Sequence, residues 1–266
     1  MTELIAKVKA LEVDLINREK RFLEEELAVE EPVFVFVNGQ HLVTLIASPT
    51  MKKELALGHL VAEGLIDSLK EVKKVQVEGS KVKITLTKAL DYEHKTSKLI
   101  TPVVDTASGA TSPDFLKVLD GIREKIVRSK TRFALSKVHK MMCDFDKKGG
   151  VHRKTRGTHS AAIFRFDGKL VSFTEDVGRH NAVDKAIGCA LSVLEDFSET
   201  ALFSSGRQPA YMVLKAARAR IPIVVSIACP LESGVRAAEK AGLTLVHISG
   251  RLMKVYTNPE RLEFSL

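Results

Sequence analysis

The sequence predicts two joined domains: a small α+β unit, then an α/β unit built on a largely parallel or mixed sheet. Three patterns point there. Early in the chain two β-rich runs meet at an Asn-Gly pair, and one helical period and two further short strands follow. From Leu90 to Pro113 the periodicity fades and polar or small residues dominate. Beyond that stretch, β and α patterns alternate towards the C-terminus. The boundary therefore falls between residues 1–112, which include the inter-domain loop, and residues 113–266.

In the first thirty residues apolar and charged positions mix, ending in an acidic run from Glu24 to Glu31, and no element is assigned to them. Val33-Phe-Val-Phe-Val37 and Leu42-Val-Thr-Leu-Ile46 flank Asn38-Gly39, a pair that suits the positive φ angles of a tight hairpin turn. Ser48-Pro49-Thr50 closes the hairpin. A helix is expected over 51–65, with Leu55, Leu57, Leu60, Val61 and Leu65 as its apolar face. Strands fit Val72 to Val77 and Val82 to Thr87, parted by the Glu78-Gly79-Ser80 turn. The Leu90–Pro113 stretch is long enough to mark a functional loop.

Helices are then expected from Ser112-Pro113-Asp114 to about Ser129 and from Phe133 to Phe145, the second ended by Lys147-Lys148-Gly149-Gly150. Ser160 to Phe166 and Leu170 to Thr174 make a second hairpin about Asp167-Gly168. The alternation follows: helix Asn181 to Leu194, strand Ala201 to Ser204, helix Pro209 to Ala219, strand Ile223 to Ile227, helix Leu231 to Ala241, strand Leu243 to Ile248.

With 266 residues, 45% hydrophobic and 28% charged, the composition excludes a collagen, a disordered tail or a disulfide scaffold. Its three cysteines, Cys143, Cys189 and Cys229, form no C-x-x-C pair, so neither a Cys-rich zinc site nor a dithiol couple can be drawn. No metal site is expected. The sparse cysteines suit a reducing compartment, and no leader or spanning segment is read, so a soluble, cytoplasmic protein is expected. The net charge of +8 is concentrated. Between Arg123 and Arg156 twelve Lys or Arg residues face three acidic ones, a net +9 that implies a local anionic partner or, more simply, a solvated basic face.

The densest chemistry is Glu175-Asp-Val-Gly-Arg-His-Asn-Ala-Val-Asp-Lys185, at an expected strand-to-helix joint. Such joints are where α/β sheets bind ligands, and a new helix's free N–H groups favour an anion. Asp176, Gly178, Arg179, His180, Asn181 and Lys185 are candidate ligand contacts, against the simpler reading of a helix cap with surface charge. His159 opens the neighbouring strand and either faces the same edge or is structural. Gly206 and Arg207 repeat the scheme at the next joint, and Cys229-Pro230 at the one after, where a buried inert thiol is the alternative. There is no P-loop, no G-x-S-x-G elbow and no zinc-deaminase signature.

These residues resemble the FdhD proteins, accessory sulfur carriers for formate dehydrogenase. The likeness runs through Glu31-Pro-Val33, Val37-Asn-Gly39, Glu54 to Ile66, Gly157 to Ala162, Ser205-Gly-Arg207, the Lys215 helix with Ile221-Pro222, and Val255 to Arg261. Glu175 to Lys185 is the specific block, close to a family signature. The resemblance implies a cytidine-deaminase-like three-layer C-terminal domain without the zinc motif, and a homodimer. It also implies a bound molybdenum bis(guanine dinucleotide) cofactor or guanine nucleotide, a cysteine desulfurase as sulfur donor and formate dehydrogenase as recipient. The cofactor-contacting stretch falls on His247, Ile248, Ser249, Gly250, Arg251 and Leu252. Here His247 and Ser249 stand where the family prefers an aromatic and, two residues on, an Arg.

The larger departure concerns sulfur. The family's loop carries a C-x-x-C pair for the persulfide, whereas this chain places Ser108 and Thr111 there. A hydroxyl ionises far too weakly to replace a thiolate. Cys229 is the best substitute thiol and Cys143 the second. The expectation is thus a sulfurtransferase-type accessory protein, and the alternative a cofactor-binding chaperone or scaffold without sulfur transfer. A nucleic-acid binder lacks the aromatic interleaving or helix-turn-helix it would need, and neither nucleic acid nor membrane is expected as a partner.

Overall fold

A computed structural model describes residues 3–88 and 127–263. Ser108, Thr111, the 90–113 stretch and most of the helix expected after Ser112 lie outside those residues. What is described of that helix's expected end, 127–129, is irregular rather than helical. Ser129 Oγ donates to the Ser198 carbonyl at 2.5 Å and accepts from Thr131 N at 3.2 Å, side-chain bonds that compete with a helical ladder.

The unassigned first thirty residues form an antiparallel hairpin of β1 (Ile5–Val13) and β2 (Lys20–Ala28). Neither of its faces is buried, and Ile16 and Phe22 are 90% and 82% exposed. β3 (Glu31–Val37) and β4 (Gln40–Ala47) meet at Asn38-Gly39, where φ is 49° and 85° as the turn requires. α1 (Lys52–Ala62) ends before the expected Leu65 because Gly64 turns the chain with φ 71°. β5 (Val72–Glu78) and β6 (Lys81–Leu86) complete a four-stranded sheet of order β4-β3-β6-β5, with β3 and β6 parallel.

Phe133 and Ala134, expected to open a helix, form the short strand β7 (Phe133–Ala134), paired with β14 (Leu262–Glu263). α2 (Leu135–Asp146) follows, then α3 (Gly150–Thr155), a helix where the sequence assigns no element. β8 (His159–Arg165) and β9 (Leu170–Asp176) make the expected Asp-Gly hairpin. Next come α4 (Arg179–Ala190), β10 (Thr200–Ser204), α5 (Ala210–Arg218), β11 (Ile223–Ser226), α6 (Glu232–Ala241) and β12 (Thr244–Ser249). An unforeseen strand, β13 (Leu252–Val255), returns antiparallel to β12 through Gly250 at φ 57°. The sheet order is β13-β12-β11-β10-β8-β9, parallel across β10, β11 and β12 and antiparallel elsewhere. This is the mixed α/β and α+β architecture the sequence implies.

Strand alternation divides the core. Leu202, Val224 and Leu245 face the cluster shared with α4, α5 and α6, while Phe203, Val225 and Val246 face the one containing Met141 and Phe145 of α2. The first cluster continues into Val33, Val35, Val82 and Ile84 of the four-stranded sheet, with α1 between. α1 is apolar nearly all round because it is covered on nearly all sides.

α1 and α4 approach each other closely. A Cβ at Gly58 would stand 1.8 Å from the Asp184 carbonyl oxygen, and one at Gly188 would stand 1.9 Å from that of Glu54. Two glycines, one per helix, thus let the backbones touch at reciprocal points. Gly58→Ala and Gly188→Ala are each expected to lower the unfolding free energy by about 3 kcal/mol, because backbone must move. Gly79→Ala, at φ 58° but in open space, should cost only about 1–2 kcal/mol of left-handed strain. Urea melts of the three variants against the parent would show equal losses if the helix contact were not limiting.

Candidate functional site

β8 runs antiparallel to β9 and β10, so its first residue lies at the edge where β9, β10, β11 and β12 end. His159 pairs with Asp176, Ser204 with Ser226, and Ser226 with His247. α4, α5 and α6 all start from this edge. The sequence's separate candidates, His159, Asp176 to Lys185, Gly206–Arg207, Cys229 and His247–Leu252, therefore share one rim. It is the crevice position that open α/β sheets use for ligands.

Not all of them face out. Asp176 and Lys185 are wholly buried and paired at 2.5 Å. Asp176 Oδ2 also accepts from Ser48 N at 3.0 Å, and Oδ1 accepts from Gly178 N at 2.9 Å and Asn181 Nδ2 at 3.0 Å. Lys185 Nζ donates to the Ser48 carbonyl at 2.9 Å, and Asn181 Nδ2 to that of Ile46 at 2.7 Å. Burial pushes the Lys185 amine below its usual range against the pull of Asp176. These three side chains pin the end of β4 and the loop after it to the start of α4.

A second buried knot has no counterpart in the sequence reading. Lys215 Nζ of α5 donates to Asp184 Oδ1 and Oδ2 at 2.8 and 2.9 Å and to Glu63 Oε1 at 3.2 Å. His59 Nδ1 lies 3.0 Å from Asp184 Oδ2, and the Tyr211 hydroxyl donates to Glu63 Oε2 at 2.6 Å. Arg218 adds a bond to the same oxygen at 3.3 Å. Burial would raise the Glu63 carboxyl, but Lys215, His59, Arg218 and Tyr211 together hold it at about 2. The spacing of Glu63, Asp184 and Lys215 in the chain conceals their meeting; Lys215 in an otherwise apolar helical run was the available hint.

The solvent-facing rim begins at α4. Arg179 packs across Gly206, where a Cβ would come within 2.9 Å of its own. The His180 ring meets Tyr211 edge-on at 5.8 Å between centroids. His159 Nδ1 lies 3.3 Å from Ser205 Oγ, which also accepts from Ser160 N at 2.9 Å. Burial first, then the charges of Arg179, His152 and His180, hold the His159 imidazole below its usual range. Arg207 is exposed, as are Ser249, Gly250, Arg251 and Leu252 at the turn from β12 to β13, while Ile248 is buried under it. Cys229 is exposed beside the buried His247. Cys143 stands apart, exposed on α2.

Glu175 is turned away from the rim. Its carboxylate accepts from Val151 N at 3.1 Å and His152 N at 2.8 Å, capping α3 and fixing the basic segment to β9. Among the described residues of that segment, Arg128, Lys130, Arg132, Lys137, Lys140, Lys147, Lys148, Arg153, Lys154 and Arg156 are exposed. No group of three His, Cys, Asp or Glu among the described residues is arranged to hold a metal ion. No described helix is long and apolar enough to cross a membrane.

Comparison with known proteins gives a consistent answer. Residues 28–263 match the model of the FdhD/NarQ family. A "Sulfur carrier protein FdhD" from Sulfolobus acidocaldarius is 34% identical over 243 residues, 90% of this chain and 92% of the relative. One of the same name from Sulfurisphaera tokodaii is 33% identical over 263 residues, 96% and 99% of the two chains. The crystal structure of a protein described as a formate dehydrogenase accessory protein from Desulfotalea psychrophila shares the fold, with TM-score 0.77 over 98% of this chain and all of that one, at 21% identity.

The Glu63 knot predicts an acid limb. A carboxyl depressed in the folded state stabilises above its unfolded pKa, and that contribution is lost as pH falls from about 4.5 through about 2. Its size is roughly 3 kcal/mol. Glu63→Gln should flatten the dependence of urea stability on pH in that window, and an unchanged slope would count against the pairing. Lys215→Met, which removes the buried cation shared by Glu63 and Asp184, should cost about 3–5 kcal/mol at neutral pH.

Proposed function

The chain belongs to the FdhD/NarQ family, and from that premise we propose that it is a sulfur carrier and accessory protein for formate dehydrogenase, which holds a molybdenum bis(guanine dinucleotide) cofactor or a guanine nucleotide at the strand-end rim. The observation that carries the binding reading is the convergence of Arg179, Arg207 and Arg251 with three helix starts on one sheet edge. Guanidinium groups and free helix N–H groups suit the phosphates of a dinucleotide. The rim also fits in detail: among the described residues, Gln208 Oε1 and His247 Nδ1 are buried without a hydrogen bond. Gly206 meanwhile keeps the backbone close under Arg179.

When bound, the cofactor supplies the molybdenum centre to which sulfur is given. The chain's own residues bind and orient. In this reading Arg207 and Arg251 hold phosphate, and Arg179 and His180, at the start of α4, add to the same edge. Gly178, His159 and the 247–252 turn shape the rim. Asp176, Asn181 and Lys185 act as supports, because their side chains are spent on the junction with the first domain. The exposed basic residues of α2 and α3 raise the positive field that draws a polyanion to the chain. In this reading a cysteine desulfurase is the donor, formate dehydrogenase the recipient, the working form a homodimer and the location the cytoplasm.

Ser108 and Thr111, hydroxyls where the family has thiols, favour a second reading: a cofactor-binding scaffold that has given up sulfur transfer. Two measurements decide. In calorimetric titration, guanosine diphosphate should bind, and Arg207→Ala and Arg251→Ala should each weaken it about tenfold, the loss of one charged hydrogen bond. Absence of binding, or variants that bind like the parent, would remove the rim site. Incubation with a cysteine desulfurase and sulfur-labelled cysteine should leave label on the chain. Binding without label would establish the scaffold instead.

A further inference from the structure

The chain has three thiols, and the structure surrounds them differently. Cys189 lies on α4 against α1, and burial, then Glu54, pushes its thiol up to about 11, so it is a poor thiolate. Cys143 is exposed on α2, with His139 Nε2 one helical turn away at 3.9 Å. Both of those side chains are solvated and free to part. Cys229 is different. It is exposed in the loop between β11 and α6, and its Sγ lies 3.7 Å from Nε2 of His247.

That imidazole is held. His247 is only 7% exposed and sits in β12, paired across the sheet with Ser226 and Lys254. Among the described residues its Nδ1 makes no hydrogen bond, so the Cys229 thiol is its one hydrogen-bonding neighbour. A fixed base aimed at an accessible sulfur is the arrangement that nucleophilic thiol chemistry uses. The pair also opens on the rim that carries Arg207 and Arg251, within the same run of strand ends.

We propose that Cys229, with His247 as its base, is the thiol on which this chain carries sulfur, an assignment that rests on the sulfur-carrier reading above. The Cys229 proton passes to His247 Nε2, and the thiolate attacks the outer sulfur of a cysteine persulfide on the donor. The new S–S bond forms at Cys229 as the donor's S–S bond breaks. The donor thiolate leaves and takes the proton back from the imidazolium. One thiol and one persulfide become one persulfide and one thiol, with no net oxidation.

The test uses the full chain and its own thiols as references. After brief exposure to glutathione persulfide, or to a cysteine desulfurase with cysteine, peptide mass spectrometry should find the added sulfur first on Cys229. At neutral pH, iodoacetamide should modify Cys229 about tenfold or more faster than Cys143, and His247→Asn should erase that advantage while leaving Cys143 unchanged. The comparison within the parent protein stands even if the variant folds poorly. Sulfur on Cys143 or Cys189 instead would overturn the assignment and keep the carrier reading. Sulfur on no cysteine would overturn both. Equal alkylation of Cys229 and Cys143 would remove His247 from the step.

Discussion

The rim depends on burying one carboxylate. Asp176 is removed from water entirely, a state that is unfavourable unless every oxygen is answered. It is answered by Lys185, Asn181 and the backbone of Ser48 and Gly178. Because Ser48 follows β4 and the others belong to β9, α4 and the turn between them, this satisfaction is also a weld. It sets the start of α4 against the end of β4 and so fixes where Arg179 and His180 stand. Breaking it by removing one partner would leave a charge in the core.

Charge is used in two ways here. Asp176, Lys185, Glu63, Asp184 and Lys215 are buried and paired in two knots, and they hold α1, α4 and α5 together around the glycine contact of α1 and α4. Arg207 and Arg251 at the rim, and the basic residues of α2 and α3, are exposed to solvent. The first set is costly to disturb and chemically quiet. The second is exposed, so changing it disturbs little of the core.

Legibility in the sequence followed burial. The Asn38-Gly39 and Asp167-Gly168 hairpins were readable because the turn chemistry admits few residues and the apolar runs beside each turn are buried. The α5, β11, α6, β12 succession was readable for the same reason: its apolar runs are core. β1 and β2 left no mark because neither of their faces is buried, so nothing selects alternation. α3 was hidden because its first N–H groups are capped by Glu175, distant in sequence. β13 was hidden because its edge position asks little of Leu252 to Val255. The rim residues were found as separate polar joints. Which of them face out was not, since Lys185 and Arg207 look alike in a string.

By itself the sequence determined the two tight hairpins, the order of the core helices and strands from β8 to β12, the polar strand ends and the presence of hydroxyls at 108 and 111, because periodicity, turn chemistry and residue identity are local. Only the tertiary structure decided that Lys185 and Lys215 are internal ties, that α1 and α4 touch through Gly58 and Gly188, and that His247 lies beside Cys229. Those facts depend on sheet order and register. Pairing β11 next to β12 brings residues 229 and 247 together, and no local pattern encodes the distance between two side chains eighteen positions apart.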